Sequence, residues 1–294
     1  MATFLTLLFA LAVAVAVRGP GVVFGLLVLA LLFVPLERSF PLRRQKVLRR
    51  SLATDLTHFL LDATIVGVLT IVLVVVAGLP LLWLRALDVE SLLPGAVALP
   101  LAVALVFVGQ YWGHRFTHRV PFLWRFHAVH HSIEQMDWVA SARLHPLDQA
   151  FTQAFTVMPL FLLGYGRVAL AGVAVVVTLL ALFQHANVRL RFPGIRWVVP
   201  TPEWHHWHHA IDSAARDRNF GLPIVDRCFG TAHLPKDARP SGFGTDQPVP
   251  QDGYLRQLAY PFRRPASGAG APAIAALTPG VGRDTELPAG LTVP

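Results

Sequence analysis

Cysteine is nearly absent from this chain of 294 residues, which has one, Cys228, and charge is sparse, at 14% of positions. A lone cysteine excludes an internal disulfide and gives no sign of a thiolate-held metal site. Any bound metal must then be gripped mainly by nitrogen or oxygen. So little charge, beside 54% hydrophobic residues and a positive mean hydropathy, is far from the composition of a soluble domain and places the chain in a bilayer. Acidic residues are the scarcer sign, 17 against 25 Lys and Arg, for a formal charge of +8. That excess does not read as a nucleic-acid surface. Many of the bases flank apolar runs, where the positive-inside rule and anionic lipid account for them. The sequence also has no GxGxxG fingerprint following a strand and no His-Glu-x-x-His, so neither a dinucleotide site nor the common zinc-hydrolase helix is expected.

What is present is a series of apolar runs separated by polar, histidine-rich segments. Thr3 to Val17 and Gly21 to Leu36 flank Arg18, Gly19 and Pro20 and read as a tight helical hairpin. A cleaved signal peptide is the competing reading, but no Lys or Arg precedes the first run. Arg38, Arg43, Arg44, Lys46, Arg49 and Arg50 follow against a single acid, Glu37, a stretch expected on the cytoplasmic side. Two further runs, about Ala63 to Leu84 and Leu92 to Trp112, cross and return to a polar region from His114 to about Gln149. Phe151 to Leu163 and Val168 to Gln184, joined by a turn at Gly164-Tyr165-Gly166-Arg167, form either two full spans or a shallow hairpin. Either way, the second His-rich region, His185 to about His233, lies on the same face as the first. After Phe262 the sequence thins into Gly, Pro, Ala and Thr, and residues 261–294 are expected to be a disordered tail.

Thirteen histidines are present. Three clusters stand out: His114 with His118, His127 with His130 and His131, and the run His205, His206, His208 and His209, in which 205, 208 and 209 repeat the spacing of the second. Residues three and four apart share a helix face, so each cluster presents two or three imidazoles toward one point. Eight or nine imidazoles exceed the roughly four to six donors of one ion, so two metals are implied. Imidazole suits iron, copper, nickel and zinc alike.

The clusters, as HxxxH, HxxHH and a second HxxHH in this order, resemble the fatty acid hydroxylase and sterol desaturase superfamily. The similarity runs from about Asp55 to His233 and includes Gln184-His185-Ala-Asn187, Asp217-Arg-Asn219-Phe-Gly221 and Asp226-Arg227-Cys-Phe229-Gly230-Thr231. It implies an all-α, multi-spanning membrane fold with a cytosolic His-rich helical cap. The expected division is 1–54 as an N-terminal transmembrane hairpin and basic loop, 55–260 as the hydroxylase or desaturase domain, and 261–294 as the tail. The ligands carried over are His114, His118, His127, His130, His131, His205, His208 and His209, with His185 as a ninth. His145 is expected behind the ligands, although a ligand or helix-boundary role stays open. Asp217, Asn219 and Asp226 are expected either to accept a hydrogen bond from a ligand imidazole or to cap helix ends. His206 departs from the family's usual basic residue and has no assigned role, while His58 and His233 are taken as structural. The neighbouring aromatics Tyr111, Trp112, Trp124, Trp138, Trp204 and Trp207 read as interfacial anchors.

The resemblance further implies two non-haem iron ions, dioxygen as co-substrate, and hydroxylation or desaturation of a membrane lipid such as a sterol or fatty acyl chain. Electrons must come from a separate ferredoxin, cytochrome or reductase, and the setting is a multi-pass membrane protein, at the inner membrane in a bacterium. Two rivals belong to other classes. A zinc-dependent lipid hydrolase would work without oxygen, and a haem-binding electron carrier would need histidines on facing spans within the bilayer.

Overall fold

The computed structural model describes residues 2–263, and among them the elements are helical, with no strand. The chain opens with a hairpin of α1 (Ala2–Arg18) and α2 (Gly21–Ser39), turned at Gly19, whose φ of +78° suits a residue without Cβ. Ala10 and Ala14 of α1 are buried with Val22 of α2 and Leu60 of α3 (Leu52–Gly78), seating the hairpin on the third helix.

Helix α3 begins well before the apolar run that announces it. Its first turns carry Thr54, Asp55, His58 and Asp62, a polar stripe at helical spacing, and all four are buried. Each has a partner. The Thr54 hydroxyl accepts from Gly253 N, and His58 donates to Asp62 at 2.6 Å while its other nitrogen meets Gln257 Oε1 at 2.8 Å. Asp55 takes Arg143 in a two-point ion pair (2.6 and 3.1 Å) and Arg49 at 2.7 Å, and Arg49 also clasps Asp137 (2.6 and 2.7 Å). Two arginines and two aspartates thus neutralise one another out of water, tying α3, the basic loop and the segment after residue 132 into one block.

A 3-10 segment, Leu79–Leu87, and the single turn α4 (Val89–Leu92) reverse the chain into α5 (Gly95–Arg119), followed by α6 (Pro121–His131), α7 (Pro146–Leu162) and α8 (Arg167–His185). The short α9 (Pro202–His208), α10 (Pro223–Cys228) and α11 (Tyr254–Ala259) complete the fold. Helices α6, α7, α9 and α10 each carry proline at their first turn, where its missing N–H is not needed. Between α7 and α8, Gly164 turns at φ +87° and the Tyr165 hydroxyl donates to Ala98 O of α5.

Helices α5 and α7 pack backbone against backbone. A Cβ on Gly109 would stand 2.2 Å from Phe155 O, and one on Gly113 would stand 2.9 Å from Phe155 Cβ. This is the small-xxx-small contact by which membrane helices approach closely. Three stretches are long and apolar enough to cross a bilayer: Gly21–Ser39, Leu52–Leu92 and Gly95–Arg119; α1 and the Ala169–His185 part of α8 are apolar but shorter. Their outward faces are apolar too, with Phe24 71% and Leu31 76% exposed, which fits lipid as the solvent. The expected tail lies, beyond Arg263, outside the described residues.

Candidate metal centre

Four helix ends deliver the histidines. His114 and His118 sit one turn apart at the end of α5, which runs past the apolar stretch to Arg119, and His127, His130 and His131 close α6. His185 is the last residue of α8, His205 and His208 lie on α9, and His209 is its C-cap. The nine form two groups, in each of which the ligand atoms lie within 4.8 Å of one another: His114, His118, His127, His131 and His208, and beside it His130, His185, His205 and His209. The groups share a wall, where the His131 and His209 rings stack at 4.5 Å.

The second ring nitrogens fix the chemistry. Nδ1 donates to Phe220 O from His114 (2.7 Å), to Arg143 O from His130 (3.0 Å), to Ala181 O from His185 (2.7 Å) and to Arg218 O from His208 (2.7 Å). His127 Nδ1 donates to Asp148 Oδ2 at 2.9 Å. Carbonyl and carboxylate oxygens accept only, so in these five rings Nδ1 holds the proton and Nε2 presents its lone pair. Yet the Nε2 atoms face each other: His114 and His127 at 3.1 Å, His130 and His185 at 3.2 Å. Two lone pairs at that distance repel unless a cation lies between them. At the His130–His185 pair protonation is not the remedy, because burial first, and neighbouring imidazoles second, hold His130 well below the usual histidine range, as they do His131, His205 and His209. His208 is lowered to about 3, again chiefly by burial. Nine imidazole nitrogen donors, five of them aimed by a hydrogen bond at Nδ1, with no carboxylate in either group fit two borderline transition-metal ions.

The supporting residues differ in part from expectation. Asp217 Oδ1 lies 3.4 Å from His118 Nδ1. Asn219 and Asp226 touch no ligand ring and hold the loop that does. Asn219 donates to Trp204 O and His233 O, while Asp226 accepts from Phe220 N, Gly221 N and the Thr231 hydroxyl. Left-handed backbone at Asp217 (φ +56°) and Asn219 (φ +59°) alternates with Arg218 and Phe220, the two residues whose carbonyls receive His208 and His114.

His145 stands apart from both groups, capping α7 by accepting from Leu147 N, the helix-boundary role. His206 belongs to neither group and packs on Phe243. Tyr111, Trp138, Trp204 and Trp207 are buried, so they are packing residues and not interfacial anchors. Trp124 does face the five-histidine group, its ring 5.1 Å from His118 and 5.3 Å from His131, and Phe220 lies 5.1 Å from His118 on another side. Sequence reasoning missed Asp148, Arg143 and Phe220. Asp148 had one signal, an acid in the first turn after a His-Pro helix start.

Fold and site together define a class: a helical membrane protein whose helix ends gather a histidine-rich centre suited to metal. Residues 99–231 match the family model described as Fatty acid hydroxylase. The chain is 34% identical over 173 residues to the ornithine lipid hydroxylase OlsE of Rhizobium tropici, covering 58% of this chain and 52% of that protein. It is also similar to alkylglycerol monooxygenases, at 32% identity for Danio rerio (45% of this chain, 29% of that protein) and 31% for Homo sapiens (42% and 28%). The chain spans about half the length of the first of these relatives and less than a third of the others. No solved structure matches it significantly.

Proposed function

We propose that this protein is an oxygen-dependent lipid hydroxylase with two iron ions held by the nine histidines. The observation that carries this reading is the convergence of tautomer-fixed Nε2 lone pairs at 3.1 and 3.2 Å, which only a cation relieves. Five donors in one group and four in the other suit two ions, whereas a single catalytic zinc uses three protein ligands and a water. A haem carrier needs histidines on opposite faces of a macrocycle, and here the rings touch each other.

Two irons at such a centre supply the chemistry in which dioxygen, two electrons and two protons convert a C–H bond to an alcohol and water. The chain's own residues bind and orient. Carbonyls of Ala181, Arg143, Arg218 and Phe220, with Asp148, fix the tautomer and aim of five imidazoles. Trp124 and Phe220 keep water from the five-histidine group. With no visible dinucleotide fingerprint, electrons come from a separate ferredoxin, cytochrome or reductase. The names of the relatives, a lipid hydroxylase and monooxygenases, favour hydroxylation over desaturation and a membrane lipid as substrate. The basic loop packs against the histidine segments through Arg49 with Asp137 and Arg43 with Asn187. With the positive-inside rule, this supports a cytoplasmic face for the centre.

The test is metal analysis of the purified protein, followed by lipid turnover with and without oxygen. Near two iron atoms per chain and product only in air are expected. Zinc in place of iron, or equal product anaerobically, removes the reading.

A further inference from the structure

A cleft lies away from the histidines. It encloses about 890 Å³ between the end of α2, the basic loop and the start of α3, the upper part of the range for small-molecule sites. Its two ends differ in character. The walls are apolar, built by Leu26, Leu27, Ala30 and Val34 of α2 and by Leu52 and Leu56 of α3. The rim is cationic: Arg38, Arg44, Lys46 and Arg189 line it, and all four are exposed.

The neighbouring charges explain why this rim is unbalanced. The acids at the cleft are already engaged, Glu37 accepting from Trp138 N and Asn187 N and Asp137 clasped by Arg49. Arg43, also at the rim, is committed to Pro240 O and Ser241 O. The four remaining cations have no carboxylate partner among the described residues. Cations in excess above an apolar groove, at the end of a helix long enough to cross a bilayer, complement a molecule that joins an anionic head to hydrocarbon tails.

We propose that this cleft is a binding site for a membrane lipid with an anionic headgroup, its acyl chain laid between α2 and α3 and its phosphate or carboxylate held by Arg38, Arg44, Lys46 and Arg189. Most of its wall comes from residues 26–56, ahead of the segment that matches the family model. The site rests on the cleft and its charge and not on the oxidation chemistry, and binding is read without turnover.

The experiment equilibrates the purified full chain with micelles holding equal phosphatidylglycerol and phosphatidylcholine, and counts co-purified lipid by mass spectrometry. Phosphatidylglycerol should be enriched, and less so at high salt. Each cation removed should lower the enrichment about fivefold, so the combined R44Q, K46Q and R189Q variant should lose at least tenfold with unchanged melting temperature and metal content. An Ala30→Trp variant, which fills the groove, should shed both lipids. Millimolar inorganic phosphate should not displace the lipid, because the chain anchors it. Equal retention of the two lipids, unchanged enrichment in the charge variant, or displacement by free phosphate would overturn the proposal.

Discussion

A histidine is fitted to hold a metal here through what its far nitrogen touches. His127 is aimed by Asp148 at 2.9 Å, a carboxylate that accepts its Nδ1 proton, whereas His114, His130, His185 and His208 rely on backbone carbonyls. Side-chain support can be removed by substitution and backbone support cannot, so Asp148 is the point at which to test the scheme. Asp148→Ala should weaken metal binding roughly 10- to 100-fold, measured by competition with a graded series of chelators. His206→Ala, in the same cluster by sequence but in neither group, should bind metal as the parent does. Equal losses in the two variants would show that proximity along the chain, and not tautomer and aim, decides ligation.

At the scale of elements, the centre is placed by how closely helices can approach. Two glycines a turn apart on α5 let it meet α7 at Phe155, and the next residue after Gly113 is His114. Gly109→Ala would drive a methyl to within 2.2 Å of a backbone oxygen, which cannot move aside as a side chain can. The helices must separate, carrying His114 and His118 away from the other imidazoles. Loss of folded yield and of metal is expected, read by size-exclusion profile and iron content. Gly67, within α3, meets nothing within 4 Å. There, Gly67→Ala should be neutral or raise stability by about 0.5 to 1 kcal/mol, since alanine is the better helix former. Similar outcomes for the two would show that α5 and α7 are less tightly joined.

The whole molecule concentrates imidazoles in a dry interior, and this sets its response to acid. In the unfolded chain each histidine gains a proton near pH 6.5. In the folded, metal-free protein His130, His131, His205 and His209 resist it because burial penalises the cation, and His208 resists it down to about 3. Below pH 6.5 the unfolded state therefore binds more protons, and stability falls as pH falls, by up to about 1.4 kcal/mol per pH unit for each such group. Above pH 6.5 both states are neutral there and the term vanishes. Chelator-stripped protein should lose melting temperature steeply between pH 6.5 and 5 and change little between 7 and 8. A flat profile would mean that the rings reach water.

Local pattern alone determined the helical membrane architecture and the histidines that matter, because hydropathy runs and i, i+3, i+4 spacing are properties of adjacent residues. The hairpin at Gly19, the proline-started helices and the clusters at 114–118, 127–131 and 205–209 are all legible in that way. The start of α3 was not, since its polar stripe Thr54, Asp55, His58 and Asp62 looks like a loop until Arg49, Arg143, Gln257 and Gly253 arrive from distant parts of the chain to satisfy it. Tertiary structure alone decided the division of the nine candidate histidines into groups of five and four, the exclusion of His145 and His206, and the work of Asp148, Arg218 and Phe220. Each depends on which buried oxygen stands behind which ring, and hydrogen-bond geometry in a desolvated interior is fixed by packing between segments as far as 106 residues apart.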